Sequence, residues 1–355
     1  MGKWKNRAEV LADVVYFNYF SEKEQLTYEE VFVWDLDRTY LDTHWGSLRE
    51  LFKTAFEKAF QKRNVPGTRS LVQALMSSRQ AEKPFPIYFI TASPPLLESR
   101  ILEKLELDGL FPFGMFFKDN LKNLHPKRLR RLTQQVGYKI QSLLQLRLRL
   151  SKDLRQILWG DDSEADAIIY SLYSDICQRR LSPSELRNIL SGLYVTGKQL
   201  DVILRLQSQV PIGDPVEKIY INLAVDTDPE YYLKFGRRVV PTNSTFQASV
   251  DLFQDGRLPV DQVVRVAQDL IMNYGFSKDE IESELDDLIR RQILGKECMA
   301  RIVPVLQAAD LISLDFVPTV KPGKVDLQSG ERVFRLEGVT EPWVPEHIDY
   351  LHDYR

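Results

Sequence analysis

The 355-residue sequence predicts an α/β fold, a doubly wound parallel sheet followed by a mostly α-helical C-terminal domain. Short runs that are apolar on both faces, at 31–34, 86–90, 114–117 and 156–159, alternate with helical periods, the pattern of a buried parallel sheet. Three of these runs end in polar residues: Asp35, Thr91 and the cluster Gly160-Asp161-Asp162. In such a sheet that places a site beyond the carboxyl ends of the strands. From about residue 180 the texture changes to helical periods.

The elements follow in order. A helix is expected over about 6–20, then the strand 31–34, helical stretches near 46–62 and 69–79, and the strand 86–90. Ser93-Pro94 suits the cap and first turn of the next helix. The strand 114–117 follows, then a long helix over about 126–150, the strand 156–159 and a helix over 164–175. Further helices are expected at 182–194, 197–207, 244–253, 259–272, 277–293 and 299–311, with one strand at 218–225. The tail from about 314, rich in Pro and Gly, reads as extended and packing on the body. A chain of this length exceeds one ordinary core, so the expected division is a core at 1–178, a helical domain at 179–313 and a tail at 314–355.

Composition removes several function classes. With 47 basic and 50 acidic residues the formal net charge is -3, which argues against whole-chain attraction to nucleic acid or to an anionic membrane. Two distant cysteines, Cys177 and Cys298, build neither a disulfide framework nor a thiolate zinc site, so a reducing interior and a cytoplasmic location are expected. No stretch reads as a signal peptide or a membrane span, which leaves peripheral membrane contact open. His44, His125, His347 and His352 lack metal-site spacing, and no GxxxxGK[ST], GxGxxG or GxSxG occurs.

The chemistry concentrates at the strand ends. Asp35-Leu36-Asp37-Arg38-Thr39 is a DxDxT directly after a buried strand. Asp35 can attack phosphorus to form an aspartyl phosphate, and Asp37 can protonate the leaving oxygen and then activate water. Thr91 and the following amide of Ala92 can hold phosphoryl oxygens. A lysine must neutralise the site: Lys139 is preferred for its place ahead of the last strand, with Lys118, Lys122 and Lys127 as competitors. After the last strand Asp161 and Asp162 can join Asp35 and the Asp37 carbonyl around Mg2+, while Asp162 or Asp166 could instead hold metal-bound water or cap the next helix. The basic stretches 127–131 and 147–149 read as solvated helix faces, or as a surface for a phosphorylated partner. Asp226-Thr227-Asp228 imitates the first motif without the rest of the set and reads as a turn or cap.

Taken in this order, over about 28–178, the four signals resemble the motifs of the haloacid dehalogenase superfamily, which implies a Rossmann-like core and magnesium. A nearer resemblance lies in Phe89-Ile90-Thr91-Ala92-Ser93-Pro94, Tyr138-Lys139-Ile140 and the segment from Trp159-Gly160-Asp161-Asp162 to Ile169-Tyr170. These are similar to the phosphatidate phosphatase catalytic domain first known from an actin-patch-associated fungal protein. The chain departs from that family at Arg38, where it usually has Asp, and at Tyr138, where it has His. Phosphatase chemistry survives both changes. The lipid substrate does not follow; the short spacings between the motifs leave little room for a lid, which favours a lipid phosphate or another bulky ester, with a soluble metabolite, a phosphoprotein and a non-catalytic interaction role as the alternatives.

Overall fold

The computed structural model describes residues 3–20, 28–43, 63–79, 84–119, 129–163, 165–195, 197–322, 333–336 and 339–353. Along the chain these form β1 (Glu9–Leu11), β2 (Val14–Asn18), β3 (Glu30–Asp35), α1 (Thr68–Ser77), β4 (Ile87–Thr91), α2 (Glu98–Leu107), β5 (Gly114–Lys118), α3 (Leu129–Arg149), β6 (Arg155–Asp161) and α4 (Asp166–Gln178). There follow α5 (Pro183–Gly192), α6 (Gly197–Gln209), β7 (Val216–Asn222), β8 (Val239–Thr242), α7 (Thr245–Gln254), α8 (Val260–Tyr274), α9 (Lys278–Arg290), α10 (Lys296–Ala308), β9 (Val333–Leu336) and β10 (Val339–Pro342).

The chain divides into two compact units: Met1–Arg63 with Phe85–Ile219 and Ile348–Arg355, and Asn64–Pro84 with Tyr220–His347. The fold is therefore mixed α/β, but its boundaries differ from the expected cut at 178. Helices α5 and α6 belong to the first unit, and the α1 segment belongs to the second. Packing explains the first placement: α6 lies on α3, where a Cβ at Gly137 would collide with Gln199 and Val195.

In the first unit the strands lie in the order β1-β2-β5-β4-β3-β6-β7. The central strands β5, β4, β3 and β6 are parallel. All six residues of β3 are buried, its apolar centre Val31-Phe32-Val33-Trp34 included, as suits a strand covered on both faces. Trp34 pairs in register with Trp159 of β6, and their rings stack at 4.6 Å. Phe32 adds a third ring, 5.8 Å from Trp159.

The expected N-terminal helix is corrected. Residues 9–18 form an antiparallel hairpin, with Leu11 opposite Val14 and Ala12 at φ 50 in the turn. Val14-Val15-Tyr16-Phe17 is β-branched and aromatic, and all four side chains are buried as β2 pairs antiparallel with β5. The expected cap at Ser93 is also corrected. A 3-10 turn at Pro95–Leu97 intervenes, and α2 begins at Glu98. The stretch expected near 46–62 lies outside the described residues.

The second unit is mainly helical, with α1, α8 and α10 in contact and α7 packed on α8 and α9. The 3-10 turn Pro229–Phe235 and strand β8 went unforeseen, and so did the hairpin β9–β10 within the tail. Asp228 caps the 3-10 turn and Asp226 sits at φ 70, so the second DxD is a turn and cap. At the start of α7, Ser244 accepts from the Phe246 N–H and donates to Glu284 of α9. Burial pushes the Glu284 carboxyl up from its ordinary 4.5 to about 7. The folded form thus keeps a proton between those values that the unfolded form has released, so stability falls as pH rises from about 4.5 through 7. Glu284→Gln is expected to flatten that fall, which is on the order of 3 kcal/mol. Urea unfolding at pH 5 and pH 8 checks it, and an undiminished pH difference in the variant would refute the assignment.

Candidate active site

Three strand ends converge at one edge of the first unit's sheet: Asp35 ends β3, Thr91 ends β4 and Asp161 ends β6. The chain passes from β3 to β4 and β5 on one side and then returns to β6 on the other side of β3. This reversal opens a crevice at the carboxyl end of β3, the usual place for a ligand in such sheets.

Beyond Asp35 the chain turns sharply. The Leu36 N–H still continues the sheet to the Ile90 carbonyl at 2.9 Å, while the Leu36 carbonyl accepts from Tyr40 and Leu41 at 3.2 and 2.8 Å. Arg38 holds φ 61, a conformation that Asn and Asp adopt more readily than Arg. The turn is anchored by Tyr40, whose buried hydroxyl donates to Asp108 at 2.9 Å; Lys104 also donates to Asp108. The two motif carboxylates thereby receive different partners. Thr39 Oγ1 donates to Asp35 Oδ2 at 3.3 Å, whereas Asp37 accepts from Thr43 at 3.1 Å and from Thr91 at 2.6 Å.

Lys139 reaches the crevice from α3 with no exposed surface. Its Nζ lies 2.8 Å from Asp35 Oδ1 and 2.6 Å from Asp166 Oδ1. Asp166 opens α4, and its other oxygen accepts the Asp161 N–H at 3.1 Å. This approach requires glycine at 160, because a Cβ there would collide with the Asp166 side chain. Asp161 Oδ1 in turn accepts from the backbone N–H of Ser163 at 2.7 Å and from its hydroxyl.

The residues expected from the sequence distribute as follows. Asp35, Asp37, Thr91, Lys139 and Asp161 come together, all buried, and Ala92 follows Thr91 half-buried. Ligand oxygens of Asp35, Asp161 and Asp166 lie within 4.8 Å of one another; Asp37 and Asp162 are not in that group. Lys118 ends β5 with its Nζ 5.8 Å from the Tyr138 ring centre, while Lys122 and Lys127 lie outside the described residues. Arg147 is buried and donates to the Ser151 and Lys152 carbonyls, and Arg149 pairs with Glu9, so neither is a solvated helix face. Sequence reasoning missed Thr43, which carried no motif signal, and the bond of 2.7 Å from the Tyr138 hydroxyl to the Thr91 carbonyl. It also weighed Asp166 only as a water holder or cap.

The donor set fits a hard divalent cation. It consists of three carboxylates, all oxygen, buried and close enough to share one ion. The negative charge exceeds what Lys139 alone balances. Lys139→Met leaves the carboxylates buried without their ammonium and is expected to lower stability by about 3–5 kcal/mol. Denaturant unfolding in the presence of a chelator measures it, and a variant as stable as the parent would show that Lys139 does not balance this cluster.

No curated protein and no solved structure matches the chain. Residues 31–188, which carry Asp35, Thr91, Lys139, Asp161 and Asp166, match the family model described as phosphatidate phosphatase APP1, catalytic domain.

Proposed function

We propose that the chain is a magnesium-dependent phosphomonoester hydrolase of the haloacid dehalogenase kind, acting through an aspartyl phosphate on Asp35. The observation that carries this reading is the placement of Lys139 between Asp35 and Asp166, with Asp37 held apart on Thr91. The family match over 31–188 supports phosphatase chemistry independently.

Asp35 attacks phosphorus as the ester bond breaks, and Asp37 gives its proton to the departing oxygen. Asp37 then takes a proton from water, whose oxygen attacks the aspartyl phosphate, releasing inorganic phosphate and restoring Asp35. Lys139 offsets charge gathering on the phosphoryl oxygens, and Thr91 with the Ala92 amide positions them. Asp35, Asp161 and Asp166 would hold Mg2+, which supplies charge neutralisation and orientation of the phosphoryl group when bound.

A lipid phosphate is the substrate class that the matched family's description favours. Among the described residues no helix is long and apolar enough to cross a membrane. Both cysteines are free and buried, in keeping with a cytoplasmic location.

The test compares the parent with Asp35→Asn on an aryl phosphate, with and without Mg2+, and on phosphatidate in liposomes. The expected result is magnesium-dependent phosphate release that falls by about 10³-fold or more in the variant. Equal release by both proteins would refute the nucleophile. Activity confined to soluble esters would remove the lipid substrate and keep the hydrolase.

A further inference from the structure

Tyr138 has no task in that reaction, yet it is fully buried beside Lys139 on α3. Successive helical residues point about 100° apart, so one turn of α3 can reach two elements. Lys139 reaches Asp35 and Asp166, while the Tyr138 hydroxyl donates to the Thr91 carbonyl at 2.7 Å. Burial holds the Tyr138 phenol well above its ordinary range, so it remains a donor.

The Thr91 carbonyl belongs to the peptide that carries the Ala92 N–H. A trans peptide is planar, with its C=O and N–H directed oppositely, and no cis bond occurs among the described residues. Fixing the carbonyl therefore fixes the aim of the amide. The Thr91 side chain is held separately: its Oγ1 accepts from the Ser93 N–H at 3.0 Å and donates to Asp37 at 2.6 Å. With side chain and carbonyl both tied, rotation of this peptide requires breaking a buried bond.

We propose that Tyr138 is a positioning residue: its grip on the Thr91 carbonyl sets the direction of the Ala92 amide toward the phosphoryl oxygens and ties that amide to the helix bearing Lys139. The inference rests on the phosphohydrolase reading and adds the residue that aligns its anion-binding backbone.

Tyr138→Phe removes the hydroxyl and keeps the ring. With the aryl phosphate as substrate, kcat/KM is expected to fall about tenfold, and the inhibition constant of orthovanadate, which mimics the transferring group, to rise in parallel. Tyr138→His, which keeps a ring N–H donor, is expected to lie between Phe and the parent on both measures. A Phe variant that matches the parent in vanadate inhibition and kcat/KM overturns the proposal. So does a His variant that falls while the Phe variant does not, which marks a packing role. Asp35→Asn run alongside separates the two readings: if it turns over as fast as the parent, the hydrolase itself is at fault.

Discussion

Lys139 brings a full positive charge into a place with no exposure, where an ammonium persists only against carboxylates held at contact distance. Asp35 and Asp166 supply them, and much of the surrounding structure can be traced to keeping those atoms within 2.8 Å. Asp166 must enter at the very start of α4, so residue 160 has no side chain. Helix α3 must lie over the sheet edge with its outer side covered by α6, and Gly137 permits that close approach. Trp34 and Trp159 stack where β3 and β6 pair in register, so that Asp35 and Asp161, one residue apart along the pair, end close together. A cluster of carboxylates that outnumber their ammonium has its own logic. It is costly when empty of cations, and it gains most from a further positive charge.

The core of the sheet was legible because its signals are local. A doubly buried parallel strand is apolar at every position, and that pattern needs no knowledge of the rest of the chain. The strand ends were legible because several such runs end in polar residues that together make one chemical set, which Asp226-Thr227-Asp228 alone does not. Asp35, Thr91 and Asp161 were singled out in this way, and Lys139 by its place ahead of β6. The N-terminal hairpin was missed because its strands owe their existence to a distant partner, β5, and because Glu9–Leu11 is too short to show a period. The division of the chain was hidden for a similar reason. Whether α5 and α6 belong with the sheet depends on side-chain volumes at Gly137 and its partners, which no composition shift announces. Thr43 and the Tyr138–Thr91 bond are contacts between residues far apart in sequence, or between residues without a motif.

Asp35 and Asp37 are the same residue type two positions apart, and both accept from a threonine hydroxyl, but only Asp35 also meets the Lys139 ammonium. Asp35 Oδ1 meets an ammonium, a group that can only donate. That partner suits a carboxylate and would lose its bond to a protonated oxygen. Asp37 is met by two hydroxyls, from Thr43 and Thr91. A hydroxyl donates to a carboxylate and can turn to accept from a carboxylic acid, so Asp37 keeps hydrogen-bonded neighbours in both protonation states. A group that must give up a proton in one half of a cycle and recover it in the other needs neighbours of that kind. In the proposed reaction the nucleophile needs the reverse, a partner that favours its ionised form. Leu36 between the two aspartates and the φ 61 turn at Arg38 just beyond them give two otherwise identical side chains different partners, which is what the proposed division of roles requires.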